Sequence, residues 1–113
     1  MSGITTHVLD TSIGRPAAGV RIRLQTREGS DHFKTIGEGS TDADGRLRTL
    51  LGDQPLRHGS YRLIFDIKAY FAQSERETFF PEATITFEIT DASQHYHVPL
   101  LVSPYGYSTY RGS

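Results

Sequence analysis

Five histidines and no cysteine set the chemistry open to this 113-residue chain. Without cysteine there is no disulfide framework, thiol nucleophile, iron–sulfur cluster or thiolate zinc site. Reactivity must come from imidazoles, guanidiniums, carboxylates and hydroxyls. Two stretches stand out. In His95-Tyr96-His97-Val98-Pro99-Leu100-Leu101-Val102, strand alternation puts Tyr96, Val98, Leu100 and Val102 on one face and His95, His97, Pro99 and Leu101 on the other. In Ile4-Thr5-Thr6-His7-Val8-Leu9, it puts Ile4, Thr6 and Val8 on one face and Thr5, His7 and Leu9 on the other. Each strand thus has an apolar core face and an outer face mixing imidazole with aliphatic side chains. Burying such a face costs free energy unless the imidazoles are hydrogen-bonded, so the mixture points to a site as well as to a covered surface.

Plainer readings hold for single residues. A histidine on an outer strand face is often an ordinary surface residue, and His32 and His58 are read that way. The His95-x-His97 spacing puts two imidazoles on one strand face, as zinc or copper would need, but no third ligand sits beside them. Asp42-Ala43-Asp44-Gly45 opens like a calcium loop. It fails at the twelfth position, Leu51, and is read as a turn. Ser103 and Ser108 lack a nucleophile-elbow context, and there is no glycine fingerprint for phosphate.

The elements that must position these residues are strands. Period-2 alternation recurs in short segments between Gly, Pro, Asp and Ser clusters, which is an all-β signature. The clearest are Val20–Gln25, Tyr61–Ile67 and Thr84–Ile89. Strands are also expected at Ile4–Asp10, Phe33–Ser40, Arg46–Arg48, His95–Val102 and Tyr105–Arg111, eight in all. Ala69–Glu77 breaks the alternation with helix-forming residues, so one short helix is expected there. The arrangement suits a two-sheet sandwich in a single domain spanning residues 1–113. Such a chain buries roughly 65% of its unfolded surface, enough for one core, but has no spare segment to cover an outer sheet face. A second copy of the chain is the expected cover, hence a homo-oligomer.

Twelve basic and thirteen acidic residues give a net charge of −1 with no Lys/Arg run, which argues against a nucleic-acid or anionic-membrane partner. The first twenty residues carry no basic and apolar leader pattern, and the closing Arg-Gly-Ser is not the Ser-Lys-Leu address. The expectation is a soluble, cytoplasmic protein.

Two stretches, Ile4-Thr-Thr-His-Val-Leu-Asp10 with Gly14-Arg-Pro-Ala17, and Tyr96-His-Val-Pro-Leu-Leu-Val-Ser-Pro-Tyr-Gly-Tyr-Ser-Thr-Tyr-Arg-Gly-Ser113, resemble the transthyretin family. They are most similar to its enzymatic branch, the 5-hydroxyisourate hydrolases, whose hallmark resembles the closing Tyr110-Arg111-Gly112-Ser113. The Asp44-Gly45-Arg46 turn falls in the expected place between them. The resemblance implies an eight-stranded transthyretin-like (prealbumin-like) sandwich of two four-stranded sheets with one short helix. It also implies a homotetramer, a dimer of dimers, with sites in the channel between dimers. The implied reaction is hydrolysis of 5-hydroxyisourate to 2-oxo-4-hydroxy-4-carboxy-5-ureidoimidazoline, with no cofactor and no metal. His7, Arg46, His97 and Ser113 are then the catalytic set, with Tyr110 and Arg111 also touching substrate and Leu9, Pro99, Leu101 and Ser108 lining the channel. His7 and His97 would be the base and proton-shuttle pair in either order, Arg46 the clamp on carbonyls and negative charge, and Ser113 the positioner of water or of a histidine tautomer. The alternative is a non-catalytic transthyretin-like carrier of a small ligand. A carrier has no need of two imidazoles and an arginine converging on one spot.

Overall fold

A computed structural model describes residues 3–112, and its architecture follows from which strand faces are apolar. The chain runs through β1 (Ile4–Asp10), β2 (Arg15–Pro16), β3 (Arg21–Arg27), β4 (Phe33–Ser40), β5 (Arg46–Leu47), β6 (Gly59–Asp66), α1 (Ile67–Ala72), β7 (Glu82–Ile89), β8 (Tyr96–His97), β9 (Leu100–Ser103) and β10 (Gly106–Thr109). One sheet is β4-β3-β6-β7, antiparallel throughout. The other follows β10-β9-β1-β2, with β5 and β8 also pairing with β1. The two sheets close on one core. Ile22, Leu24, Leu63 and Phe65 from the first meet Ile4, Val8, Leu100 and Val102 from the second, all with at most 2% of their surface exposed. These are the inward rows that alternation predicts, and each contributes on the order of 2 kcal/mol by leaving water. Chain and fold thus form the expected two-layer β-sandwich.

Among the described residues there are ten strands in sheets of four and six, where eight in two four-stranded sheets were expected, and three elements account for the departures from the sequence reading. The expected strand His95–Val102 is two strands, because Pro99 has no amide proton for a ladder; Val98 and Pro99 lie between β8 and β9. The parity survives the break, since Tyr96, Val98, Leu100 and Val102 are all buried. Arg15–Pro16 adds a two-residue strand on β1, registering Leu9 with Pro16. The helix begins at Ile67 instead of Ala69 and ends at Ala72 instead of Glu77. Asp66 caps it by accepting from the Ala69 amide at 3.1 Å, a role that alternation through Ile67 concealed. Glu75 then takes a left-handed φ of 56°, and the Arg76 amide donates back to the Phe71 carbonyl, which stops the helix.

That reversal aims Arg76 at the end of β1. Its guanidinium donates to Asp10 Oδ2 at 2.8 Å, and so does the Tyr70 hydroxyl at 2.8 Å. Ser12 donates to the other carboxylate oxygen from both amide and hydroxyl. Asp10 is fully buried, and burial alone would raise its pKa; the hydrogen bonds from Ser12, Arg76 and Tyr70 outweigh burial and hold it below the usual carboxylate value. The same contact pushes the Tyr70 hydroxyl up to about 12, through burial first and the Asp10 carboxylate second. The network clamps α1 to β1. A carboxylate with a depressed native pKa lends stability above its unfolded pKa and loses it as pH falls through the native value. Asp10→Ala is therefore expected to cost about 3 kcal/mol in urea unfolding at pH 7, with the gap to wild type closing below pH 4. A gap that does not change with pH would contradict this role.

Candidate active site

β1 positions the site because it is paired on both sides by strands carrying chemical groups. Antiparallel β5 sets Arg46 opposite His7, and parallel β8 sets His97 opposite Thr5. Paired strands run about 4.8 Å apart, so three outward-facing groups from three distant parts of the chain become neighbours. The pairing is pinned by backbone bonds from the Val98 amide to the Thr5 carbonyl and from the Val8 amide to the Gly45 carbonyl. The Thr6 hydroxyl adds a bond to the Val98 carbonyl at 2.6 Å.

Arg46 is delivered by the turn before it. The Asp42 carboxylate accepts from the amides of Asp44 at 2.9 Å and Arg46 at 3.0 Å, while Gly45 takes a φ of 77°. A Cβ on Gly45 would lie 2.4 Å from the Val8 carbonyl, so both conformation and space require glycine. The Arg46 amide, first among the groups acting on it, holds the Asp42 carboxyl below its ordinary value.

The ring contacts constrain the imidazoles. His7 Nε2 lies 2.9 Å from the Asp44 carbonyl. A carbonyl only accepts, so Nε2 carries the proton and Nδ1 is the basic nitrogen of neutral His7. His97 Nδ1 is 2.8 Å from the Thr5 hydroxyl. His95 Nε2 is 2.9 Å from the same hydroxyl. The face of His97 is met by the C-terminal segment: the Gly112 amide donates to the His97 carbonyl at 2.8 Å, and a Cβ on Gly112 would come within 2.6 Å of His97 Cδ2.

His97 is half-buried, and its pKa lies below the usual value near 6.5. Desolvation is the main cause, followed by repulsion from His7, His95, Arg46 and Arg48. At neutral pH the ring is therefore neutral and able to accept a proton. With the guanidiniums of Arg46 and Arg48 beside His97, the site suits an anionic or anion-generating ligand. Among the described residues, no group of three or more His, Cys, Asp or Glu side chains could hold a metal ion.

A sequence profile of the HIUase/Transthyretin family matches residues 4–112. The chain belongs to the HIUase/Transthyretin family. It is 49% identical over 117 residues to a 5-hydroxyisourate hydrolase from Caulobacter vibrioides, with both chains covered completely. The solved 5-hydroxyisourate hydrolase of Klebsiella pneumoniae superposes with a TM-score of 0.84 at 42% identity, covering 100% of this chain and 94% of that one. Sea bream transthyretin, solved with thyroxine, superposes at 0.91 with 30% identity, covering 97% and 94%. Family membership accounts for the two sheets and the single short helix.

Within this member of the HIUase/Transthyretin family, His7, Arg46 and His97 share the outer face of the sheet around β1. Leu9 and Leu101 lie half-buried along the same register, Leu9 opposite Leu101. Pro99 is buried, and its carbonyl accepts from the Thr109 hydroxyl at 2.7 Å. Ser108 is exposed on β10 opposite Leu101. Tyr110 and Arg111 line a cavity of about 280 Å³ with Ile85, Phe87 and Glu88 of β7 and with Tyr96 and Val98, the neighbours of His97. The Arg111 guanidinium sits 4.4 Å over the Tyr96 ring and donates to Gln94. Ser113 lies outside the described residues. The sequence reading did not single out Thr5, Arg48 or Gly112. Thr5 was within reach, because it shares the outward parity of His7.

The electrostatic origin of the His97 shift gives a direct check. In an NMR titration of ring carbon-bound protons, His97 is expected to have a midpoint below 6.5, and Arg46→Gln should move it upward by removing a cation. A His97 midpoint indifferent to that substitution would show that Arg46 does not act on the ring.

Proposed function

We propose that this chain hydrolyses 5-hydroxyisourate to 2-oxo-4-hydroxy-4-carboxy-5-ureidoimidazoline at the cluster of His7, Arg46 and His97. The observation that carries the reading is the convergence of two imidazoles and a guanidinium on one sheet face, in a chain whose full-length relatives bear the name of that hydrolase. Opening the ring at an acyl–nitrogen bond requires a base to take a proton from water, a donor to hold the developing oxyanion, and an acid for the departing nitrogen. His97, neutral at pH 7, is assigned as the base toward water. His7, its tautomer set by the Asp44 carbonyl, is assigned to orient substrate and share in proton transfer. Arg46 presents a planar donor fork to the ring carbonyls and to the charge that builds on them. Ser113 is assigned to water or to a histidine on the resemblance of the closing residues, and Tyr110 and Arg111 to substrate on the same ground. The carrier reading leaves the imidazole–guanidinium cluster without a use.

The outer face of β1 and β9, with Leu9 and Leu101 beside the imidazoles, is assigned to a channel between subunits of a homotetramer built as a dimer of dimers. A single experiment tests both parts. Purified protein should sediment as four chains and accelerate the ultraviolet decay of freshly made 5-hydroxyisourate. His97→Ala and Arg46→Ala should melt near wild type and lose at least about 100-fold in kcat/KM. Folded variants with wild-type rates would remove these residues from the mechanism, and a monomer with full activity would remove the channel.

A further inference from the structure

The Thr5 hydroxyl lies within hydrogen-bond distance of two imidazoles at once, His97 Nδ1 at 2.8 Å and His95 Nε2 at 2.9 Å, and carries a single proton. A hydroxyl so placed donates to one ring and accepts from the other. Two arrangements follow for neutral rings. When Thr5 donates to His95, His97 must donate from Nδ1, and its Nε2 is left with a lone pair. When Thr5 donates to His97 Nδ1, His97 carries its proton on Nε2, and His95 donates from its own Nε2. The position of one hydroxyl proton thus decides whether His97 presents a base or an acid at Nε2.

The framework holds that hydroxyl in place. Thr5 is only 9% exposed, is registered with His97 of β8, and its carbonyl is bonded to the Val98 amide. Its β-branched side chain has restricted χ1 freedom on a strand. The two rings differ in surroundings. His97 is half-buried and faces His7 of β1, Arg46 of β5 and Arg48 just beyond β5, so a lasting positive charge there is disfavoured. His95 is exposed, where water solvates charge.

We infer that Thr5 is a positioning residue for the hydrolysis, coupling the tautomers of His97 and His95 so that proton uptake at His97 is relayed to His95. The inference rests on the assignment of His97 as base. As water attacks the substrate carbonyl, its O–H bond breaks and the proton binds His97 Nε2. The Nδ1 proton moves to the Thr5 oxygen, and the Thr5 proton moves to His95 Nε2. His97 is again neutral, now with a proton on Nε2, and the positive charge is on His95. When the acyl–nitrogen bond breaks, Nε2 gives its proton to the departing nitrogen and the relay runs backward, returning the borrowed proton from His95. The balance is one water proton delivered to the leaving nitrogen, with all three residues restored.

The test uses the full-length protein with Thr5→Val, which removes the hydroxyl at nearly constant volume, and Thr5→Ser, which keeps it. Thr5→Val should lower kcat about 10- to 100-fold with KM within about twofold, and Thr5→Ser should stay within about threefold of wild type. His95→Gln, unable to carry the proton, should show a loss of similar size and add nothing further in the Thr5→Val background. Multiplying losses would overturn the relay, as would wild-type kcat in Thr5→Val. If Thr5→Val does not fold, His95→Gln and Thr5→Ser still decide: an unaffected kcat in His95→Gln, or a large loss in Thr5→Ser, contradicts the coupling. Ring ¹⁵N shifts give a readout separate from turnover. Both His95 and His97 signals should move in Thr5→Val and return in Thr5→Ser, and unchanged signals would refute the coupling. A wild-type protein with no hydrolysis but coupled ring shifts would refute the proposed function instead.

Discussion

The site exists because β1 is paired on both edges, with β8 and β9 parallel on one side and β5 antiparallel on the other. Strand spacing is fixed by backbone hydrogen bonds, so the register Thr5 to His97 and His7 to Arg46 sets the distances between reactive groups before any side chain chooses a rotamer. A slip of one residue in either pairing would turn those groups to the opposite face. The features that protect the register are correspondingly local: a glycine tight against the Val8 carbonyl, an aspartate gathering two turn amides, and a buried carboxylate clamping the end of β1 to the helix. The reactive face is held by rigid sheet, as a site that must place water within a few tenths of an ångström requires.

Burial and charge act in the same direction on the central imidazole. Removal from water and nearby cationic groups both disfavour protonated His97. The same cationic groups favour the negative charge that a hydrolytic transition state develops. One arrangement thus keeps the base free of its proton and stabilises the oxyanion, which is an economical use of Arg46 in the proposed reaction. Hydrogen bonding to the Asp44 carbonyl assigns the His7 proton, while the Thr5 hydroxyl, able to donate or accept, leaves His97 two arrangements.

Much of this was legible from side-chain alternation. The two faces of β1 and of the stretch from Tyr96 to Val102 are assigned from period alone, which puts His7 with Leu9, and His97 with Leu101, on the outer face of each. The apolar rows of β3, β6 and β7 were equally plain. What alternation cannot supply is pairing between short strands. Arg46 lies in a two-residue strand with no period to read, and its partnership with His7 is set by a turn and by tertiary bonds. Its role entered through the family resemblance, not through its neighbours in sequence. The helix boundary is not legible in the sequence because Asp66 can end a strand as well as cap a helix, and Ile67 continues the apolar row into α1. Thr5 carries no signal in the sequence because threonine on a strand is ordinary; only the approach of two rings to its hydroxyl distinguishes it.

In the proposed hydrolysis of 5-hydroxyisourate, neutral His97, its proton affinity lowered by burial and by neighbouring cations, takes the proton from water. The pH dependence of kcat/KM, which reports the free protein's ionisations, tests it most directly. Activity should rise with pH through an acid limb whose midpoint lies below 6.5, and that limb should move upward in Arg46→Gln in step with the His97 ring titration. An acid limb above 6.5, or one that stays in place while the His97 titration moves, would contradict the account.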